Sequence, residues 1–123
     1  MAHTNTLLSL MVVIFQIALA MGAPWGERAW GGRYIGVLPL GMRIASVFSA
    51  VLICAFAMVI QIRAGNILPQ YLELSQPLSW IVVGYSAVGI VMNAITPSKK
   101  ERNLWLPVVS LLFVTSCAVA LAD

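Results

Sequence analysis

Between Arg43 and Arg63 the chain reads IASVFSAVLICAFAMVIQI, nineteen consecutive residues without a charge. A bilayer crossing needs about 20 predominantly apolar residues. Three further uncharged runs flank this one: Thr4 to Gly26, Leu74 to Ser98 and Asn103 to Ala122, of 23, 25 and 20 residues. In the whole 123-residue chain 61% of residues are apolar and only 9% are charged. A soluble domain carries about 25% charged residues. The pattern predicts an all-α, polytopic transmembrane bundle of four helices, one domain spanning 1–123. It excludes most soluble enzyme folds.

Breakers set the expected boundaries. Helix 1 is placed at about 4–21, because Gly22, Ala23 and Pro24 stop it. Helix 2 is placed at about 42–63 and ends at Ala64-Gly65-Asn66. Helix 3 is placed at about 77–95, with Pro77 as a first-turn proline and Pro97 beyond its end. Helix 4 is placed at about 104–122, with Pro107 in its first turn. Two connections then fall on one side, 22–41 and 96–103. The small residues Ala18-Leu19-Ala20 resemble an export cleavage site, but Met1 to Leu7 has no Lys or Arg. Helix 1 is therefore expected to remain as a membrane helix.

The side carrying loops 22–41 and 96–103 holds Arg28, Arg33, Arg43, Lys99, Lys100 and Arg102. The opposite side has only Arg63, together with Glu73 and Asp123. Basic residues concentrate on the cytoplasmic side of membrane proteins. Both loops are therefore expected in the cytoplasm and both termini outside. The net charge of +3 is no sign of nucleic-acid binding. A nucleic-acid surface gathers its cations on one wet face, whereas these sit at helix ends.

Loop 22–41 is long and unusual in composition. It interleaves Trp25, Trp30 and Tyr34 with Glu27, Arg28 and Arg33 among many glycines. Aromatic rings with one wet and one dry edge suit the headgroup layer. Glycines equally allow a folded-back loop, in which Glu27 reaches a cation of loop 96–103 and Glu101 one of loop 22–41. The loop then caps the cytoplasmic mouth of the bundle. The candidate cluster at that mouth is Trp25, Glu27, Arg28, Trp30, Arg33, Asn93, Lys99, Lys100, Glu101, Arg102 and Trp105. Its cations beside tryptophans suit an anionic lipid headgroup. Ordinary positive-inside anchoring accounts for the same residues.

Gln16 is the intramembrane polar side chain of helix 1, two turns from its cytoplasmic end. It either bonds to a neighbouring helix or, with Asn93, lines a polar cavity. No carboxylate is expected at membrane depth, which argues against a proton-coupled transporter. No nucleophile, metal or phosphate-loop motif is present. Catalytic residues, metal ligands and a cofactor are accordingly not assigned. Cys54 and Cys117 read as small buried hydrophobes, with a disulfide left open.

Small residues mark close helix contacts in lipid. Helix 2 offers Ala45/Ser49 and Ser46/Ala50 at spacing four. They serve either packing within one bundle or a homo-oligomer seam. Glu27-Arg28, Trp30 and Leu38-Pro39 are loosely echoed by Glu101-Arg102, Trp105 and Leu106-Pro107. A parallel 2+2 helix repeat would explain that echo. Chance explains it too.

Gly22-Ala23-Pro24-Trp25-Gly26, Ala29-Trp30-Gly31-Gly32, and Asn93-Ala94-Ile95 with Pro97, Glu101-Arg102-Asn103 and Trp105 together resemble a known group. It comprises small bacterial four-helix integral membrane proteins with a GAPWG…AWGG loop. The resemblance implies a bacterial inner-membrane protein and brings no activity with it. The reading is a membrane-embedded binding or accessory module, in contact with membrane lipids. A small transporter or channel for a neutral or anionic solute, and a lipid-modifying enzyme, are the alternatives.

Overall fold

The four charge-poor runs fold as α1 (Ala2–Ala20), α2 (Leu40–Arg63), α3 (Leu72–Ile95) and α4 (Lys99–Leu121), as seen in a computed structural model that describes residues 1–122. Asp123, counted above on the side of the termini, lies outside the described residues. At about 1.5 Å per residue the helices measure about 28–36 Å, enough to cross a hydrocarbon core of about 30 Å. All four are long and apolar enough to span a membrane. The chain is a multi-pass membrane protein by this criterion.

Two helices start earlier than the breakers suggest. A single 3-10 turn at Pro69–Tyr71 leads directly into α3, so Pro77 lies inside the helix rather than at its start. The proline removes one backbone donor. The hydroxyls of Ser75 and Ser79 donate to the carbonyls of Leu72 and Gln76 at 2.6 and 2.7 Å. Such serine bonds accommodate a broken ladder in an apolar setting. Helix α4 starts at Lys99 because Ser98 caps it, its Oγ accepting the Glu101 N–H at 3.2 Å. The cationic segment first read as loop is therefore the first turn of α4. Pro107 falls two turns further in.

Helix α1 pairs with α2, and α3 with α4. Lesser α2–α3 and α1–α4 contacts close the ring, while α1 and α3 barely meet across the interior. At the end holding the termini, Ala2, Ile60, Val82 and Val119 bring all four helices together. Midway, Val13 packs on Ala50 and Ile53. At the loop end, Phe15 and Leu19 of α1 pack with Ala29 and Leu38 of the α1–α2 connection (loop 1, residues 21–39; the α3–α4 turn at 96–98 is loop 3), and with Trp105 of α4. Helix α3 contributes nothing to that last cluster.

Two arginines of α2 close its neighbours. Arg43 Nε donates to the Ala20 carbonyl at 2.8 Å at the end of α1. Arg63 donates to the carbonyls of Ala120 and Ala122 at the end of α4. A cation at a helix carboxyl end satisfies orphan carbonyls and complements the helix dipole.

Ser46 and Ala50 are buried inside the single chain, so this pair of the expected seam serves packing within the bundle. The echoed residues occupy different places in the two hairpins. Pro39 immediately precedes α2, whereas Pro107 lies within α4. Cys54 and Cys117 are both free, and Cys54 is exposed on the outer face of α2 rather than buried as expected, while Cys117 is half-buried.

Candidate functional site

Loop 1 folds back over the bundle because its glycines permit two close approaches. The Gly26 N–H donates to the Gly36 carbonyl at 2.8 Å, closing the loop on itself. A Cβ at Gly26 would lie 1.9 Å from the Tyr34 carbonyl oxygen. At Gly32, with φ +74°, a Cβ would lie 2.5 Å from Cβ of Ser98. Only glycine lets the two loops touch there. Buried Leu38 anchors the fold-back, worth about 1.5–3 kcal/mol for a fully buried leucine.

Four polar contacts then tie loop 1 to the start of α4. Lys100 Nζ donates to Glu27 Oε1 in an ion pair, and Ser98 Oγ donates to the Glu27 carbonyl. Trp105 Nε1 donates to the Arg28 carbonyl at 2.9 Å. The Gly31 N–H donates to Glu101 Oε2 at 3.0 Å. Loop 1 thus caps this end. Glu27 finds its cation in Lys100, but Glu101 does not find one in loop 1. It takes a backbone N–H instead and is only 8% exposed.

The cluster residues divide into several environments. Trp25 stacks on Phe15, ring centres 6.0 Å apart. Phe15 also meets Trp105 edge-on at 4.6 Å. Trp30 holds a left-handed backbone, φ +51°, and its Nε1 donates to Ser46 Oγ at 3.2 Å. A bulky residue in that region is strained. Glu27 and Lys100 form a half-exposed pair. The bond from Lys100, with the positive charges of Lys100 and Arg28 nearby, holds the Glu27 carboxyl below its ordinary value of 4.5. Lys99 and Lys100 rim a shallow depression with Glu27, whereas Arg28 lines a separate internal cavity. Arg33 and Arg102 line neither. The five cations do not converge on one cleft.

That internal cavity has a volume of about 520 Å³ and lies between α1 and α3. It runs from Asn5 and Ser116 near the termini to Glu101 and Trp105 beneath the cap. Its walls are mainly apolar, with Phe15, Ile53, Phe56 and Leu112 among them. A few polar groups punctuate them. Gln16 Oε1 is buried without a hydrogen-bond partner among the described residues. Asn93 lines the cavity too, its Nδ2 donating to the Gly89 carbonyl at 2.8 Å. Ser49, Ser86, Arg28 and Glu101 are also in the wall.

At the terminal end Asn5, 2% exposed, closes the space. Its Nδ2 donates to Thr115 Oγ1 and Ser116 Oγ, each at 2.9 Å, linking α1 to α4. One side is open. Val88, Met92 and Ile95 line the cavity yet are 61%, 59% and 70% exposed. The carboxyl half of α3 therefore leaves a lateral opening on the face a bilayer would cover. The upper half of α3 is held, by Val82 in the terminal cluster and by Tyr85 against Phe56 at 5.0 Å.

Sequence reasoning passed over Asn5, whose place before the long apolar stretch of α1 gave no sign of a partner in α4. It also placed Glu101 in a loop, paired with a cation of loop 22–41. The signal was present: Ser98 and Glu101 have the spacing of a helix-start capping pair. No cluster of metal-binding side chains is found among the described residues. No protein-family model matches the chain, and neither a curated protein nor a solved structure does.

Proposed function

We propose that this chain is a binding module of the bacterial cytoplasmic membrane that holds a membrane-soluble small molecule within its helix bundle. The observation that carries the reading is the laterally open cavity of about 520 Å³, lined by Val88, Met92 and Ile95 on its lipid side. Ligand sites are typically about 300–1,000 Å³, mostly apolar, with a few placed polar groups, and form between helices of bundles. The loop 1 cap closes one end and Asn5 with Thr115 and Ser116 closes the other. Entry from lipid is the open route.

The six-to-one distribution of cations supports loops 1 and 3 in the cytoplasm, with both termini outside. Arg33, Lys99 and Arg102 make no ion pair among the described residues and are available to anionic headgroups on that side. Any assembly of copies would use exposed faces such as Phe48 and Val51 of α2, since Ser46 and Ala50 face inward. The resemblance of the loop 1 and α4 motifs to small bacterial four-helix membrane proteins is in keeping with the same assignment. The closed ends favour neither a pore nor a channel. Glu27 and Glu101 sit in separate environments, one ion-paired and one buried, which gives no paired acid and base for an enzyme.

Native mass spectrometry in mild detergent tests the reading. The protein should retain a co-purified amphiphile of a few hundred daltons, at one per chain, and a Ser86→Leu variant should lose it. Ser86 is buried on the cavity wall, so a leucine there fills the space. A wild-type protein that stays empty after extraction and after incubation with membrane lipid would remove the binding reading.

A further inference from the structure

Among the described residues one acid, Glu101, lines the cavity, with Arg28 the one cation in the wall. Glu101 is buried, and its carboxylate forms no ion pair among the described residues. Oε2 accepts the Gly31 N–H, while Oε1 accepts no hydrogen bond among the described residues. Arg28 lines the same end of the cavity but does not pair with it. Of the two cations beside it in sequence, Lys100 is held by Glu27 on the outer surface, and Arg102 makes no ion pair among the described residues and does not line the cavity. A buried charge without a partner is disfavoured in an apolar surrounding, because it has given up its water. Two features of the fold partly offset that cost, the Gly31 N–H and the position of Glu101 in the first turn of α4. Neither supplies a counter-charge.

The surroundings select what could. Trp105 lies one turn after Glu101 on the same face of α4, and Trp30 immediately precedes Gly31. Both indoles line the cavity with Glu101. Aromatic faces attract ammonium groups, the more so when water is excluded. Unpartnered Gln16 Oε1 adds another acceptor on the cavity wall. From Glu101 to Ser116 the cavity continues along about 22 Å of α4, at about 1.5 Å per residue, between largely apolar walls. That is a cation-accepting end joined to a long apolar slot.

We propose that Glu101 is the headgroup anchor of this cavity and that the ligand is an alkyl-chain amphiphile with an amine head. The ammonium group bonds to the free oxygen of Glu101 beneath the cap. The alkyl chain lies along the slot and reaches it through the opening beside Met92. This rests on the binding reading above and adds the ligand's charge and the residue that selects it.

Photo-crosslinking of the full chain in nanodiscs separates the two. The probes are three diazirine-tagged chains of equal length ending in an amine, an alcohol or a carboxylate. Cross-links are mapped by peptide mass spectrometry, with each untagged compound as competitor. The amine probe should label cavity residues such as Val109 and Leu112 about tenfold more than the alcohol, as a charge-assisted bond requires, and the carboxylate least. Glu101→Gln keeps an acceptor for Gly31 and should bring the amine down to the level of the alcohol. Ser86→Leu should reduce all three. Equal labelling by the three wild-type probes overturns the amine assignment even if the glutamine variant does not fold, while leaving the cavity in place. Labelling that Ser86→Leu does not change removes the cavity reading itself. If only a second copy of the chain is cross-linked across the opening, the face is an oligomer contact and the proposal fails.

Discussion

Glu101 and Gly31, seventy residues apart in sequence, meet through a 3.0 Å bond from the Gly31 N–H to the Glu101 carboxylate. That contact joins the buried carboxylate to loop 1, which is the roof of the cavity. Several measurable consequences follow from the way the roof and floor are held.

The closest approach in the roof is Gly32 against Ser98. Gly32→Ala introduces a Cβ both into a left-handed backbone position and into contact with Ser98. Thermal unfolding in detergent should show a loss of about 1–3 kcal/mol. Gly41, with nothing within 4 Å of its would-be Cβ, is the control. Gly41→Ala lies within the first turn of α2 and should be neutral or stabilising by up to about 1 kcal/mol. Equal effects at both positions would show that loop 1 is not clasped to loop 3.

At the opposite end Asn5 holds α1 to α4. Asn5→Ala should cost about 0.6–2 kcal/mol, the span found for hydrogen bonds between membrane helices. A double-mutant cycle with Thr115→Val should show a coupling of the same sign, since the two side chains bond directly. Additive losses would mean that the bond contributes nothing to stability.

The Glu27–Lys100 pair gives a pH signature. Its folded-state carboxyl is held below the ordinary value of 4.5, chiefly by the bond from Lys100. A depressed carboxyl stabilises the folded state above its unfolded value and loses that contribution as the pH falls through its folded one. The difference in melting temperature between wild type and Glu27→Gln should therefore be constant from neutral pH down to about 4.5, then close on further acidification. High salt should shrink it at neutral pH as well, because the pair is half-exposed. A gap that persists unchanged below pH 4 would assign the effect of the variant to something other than this charge.

Orientation rests on the distribution of cations. In a background with Cys54 and Cys117 replaced by Ala, single cysteines at Lys99 and at Gln70 should label from opposite faces of the membrane. An impermeant maleimide applied to intact cells should reach Gln70→Cys and spare Lys99→Cys. The reverse pattern would invert the topology.

The sequence by itself determined the number and the approximate place of the helices. Charge-free runs of about 20 residues leave no alternative in a bilayer, where each backbone polar group must bond within its own helix. Helix starts were less legible. Pro77 and the charges of Lys99 to Arg102 look like punctuation, but caps and serine bonds carry α3 and α4 through them. Which faces turn inward was not legible at all. In a soluble bundle the polar residues would mark the outside. Here lipid is as apolar as the core, so Phe48 outside and Leu19 inside read alike. Glu27 and Glu101 likewise look equivalent, each an acid followed by an arginine. Only the tertiary structure decided that Glu27 meets Lys100 at the surface while Glu101 goes beneath the roof. The reason is geometric: the paths of loop 1 and α4 bring Gly31, which has no side chain to intervene, against the carboxylate held in the first turn of α4.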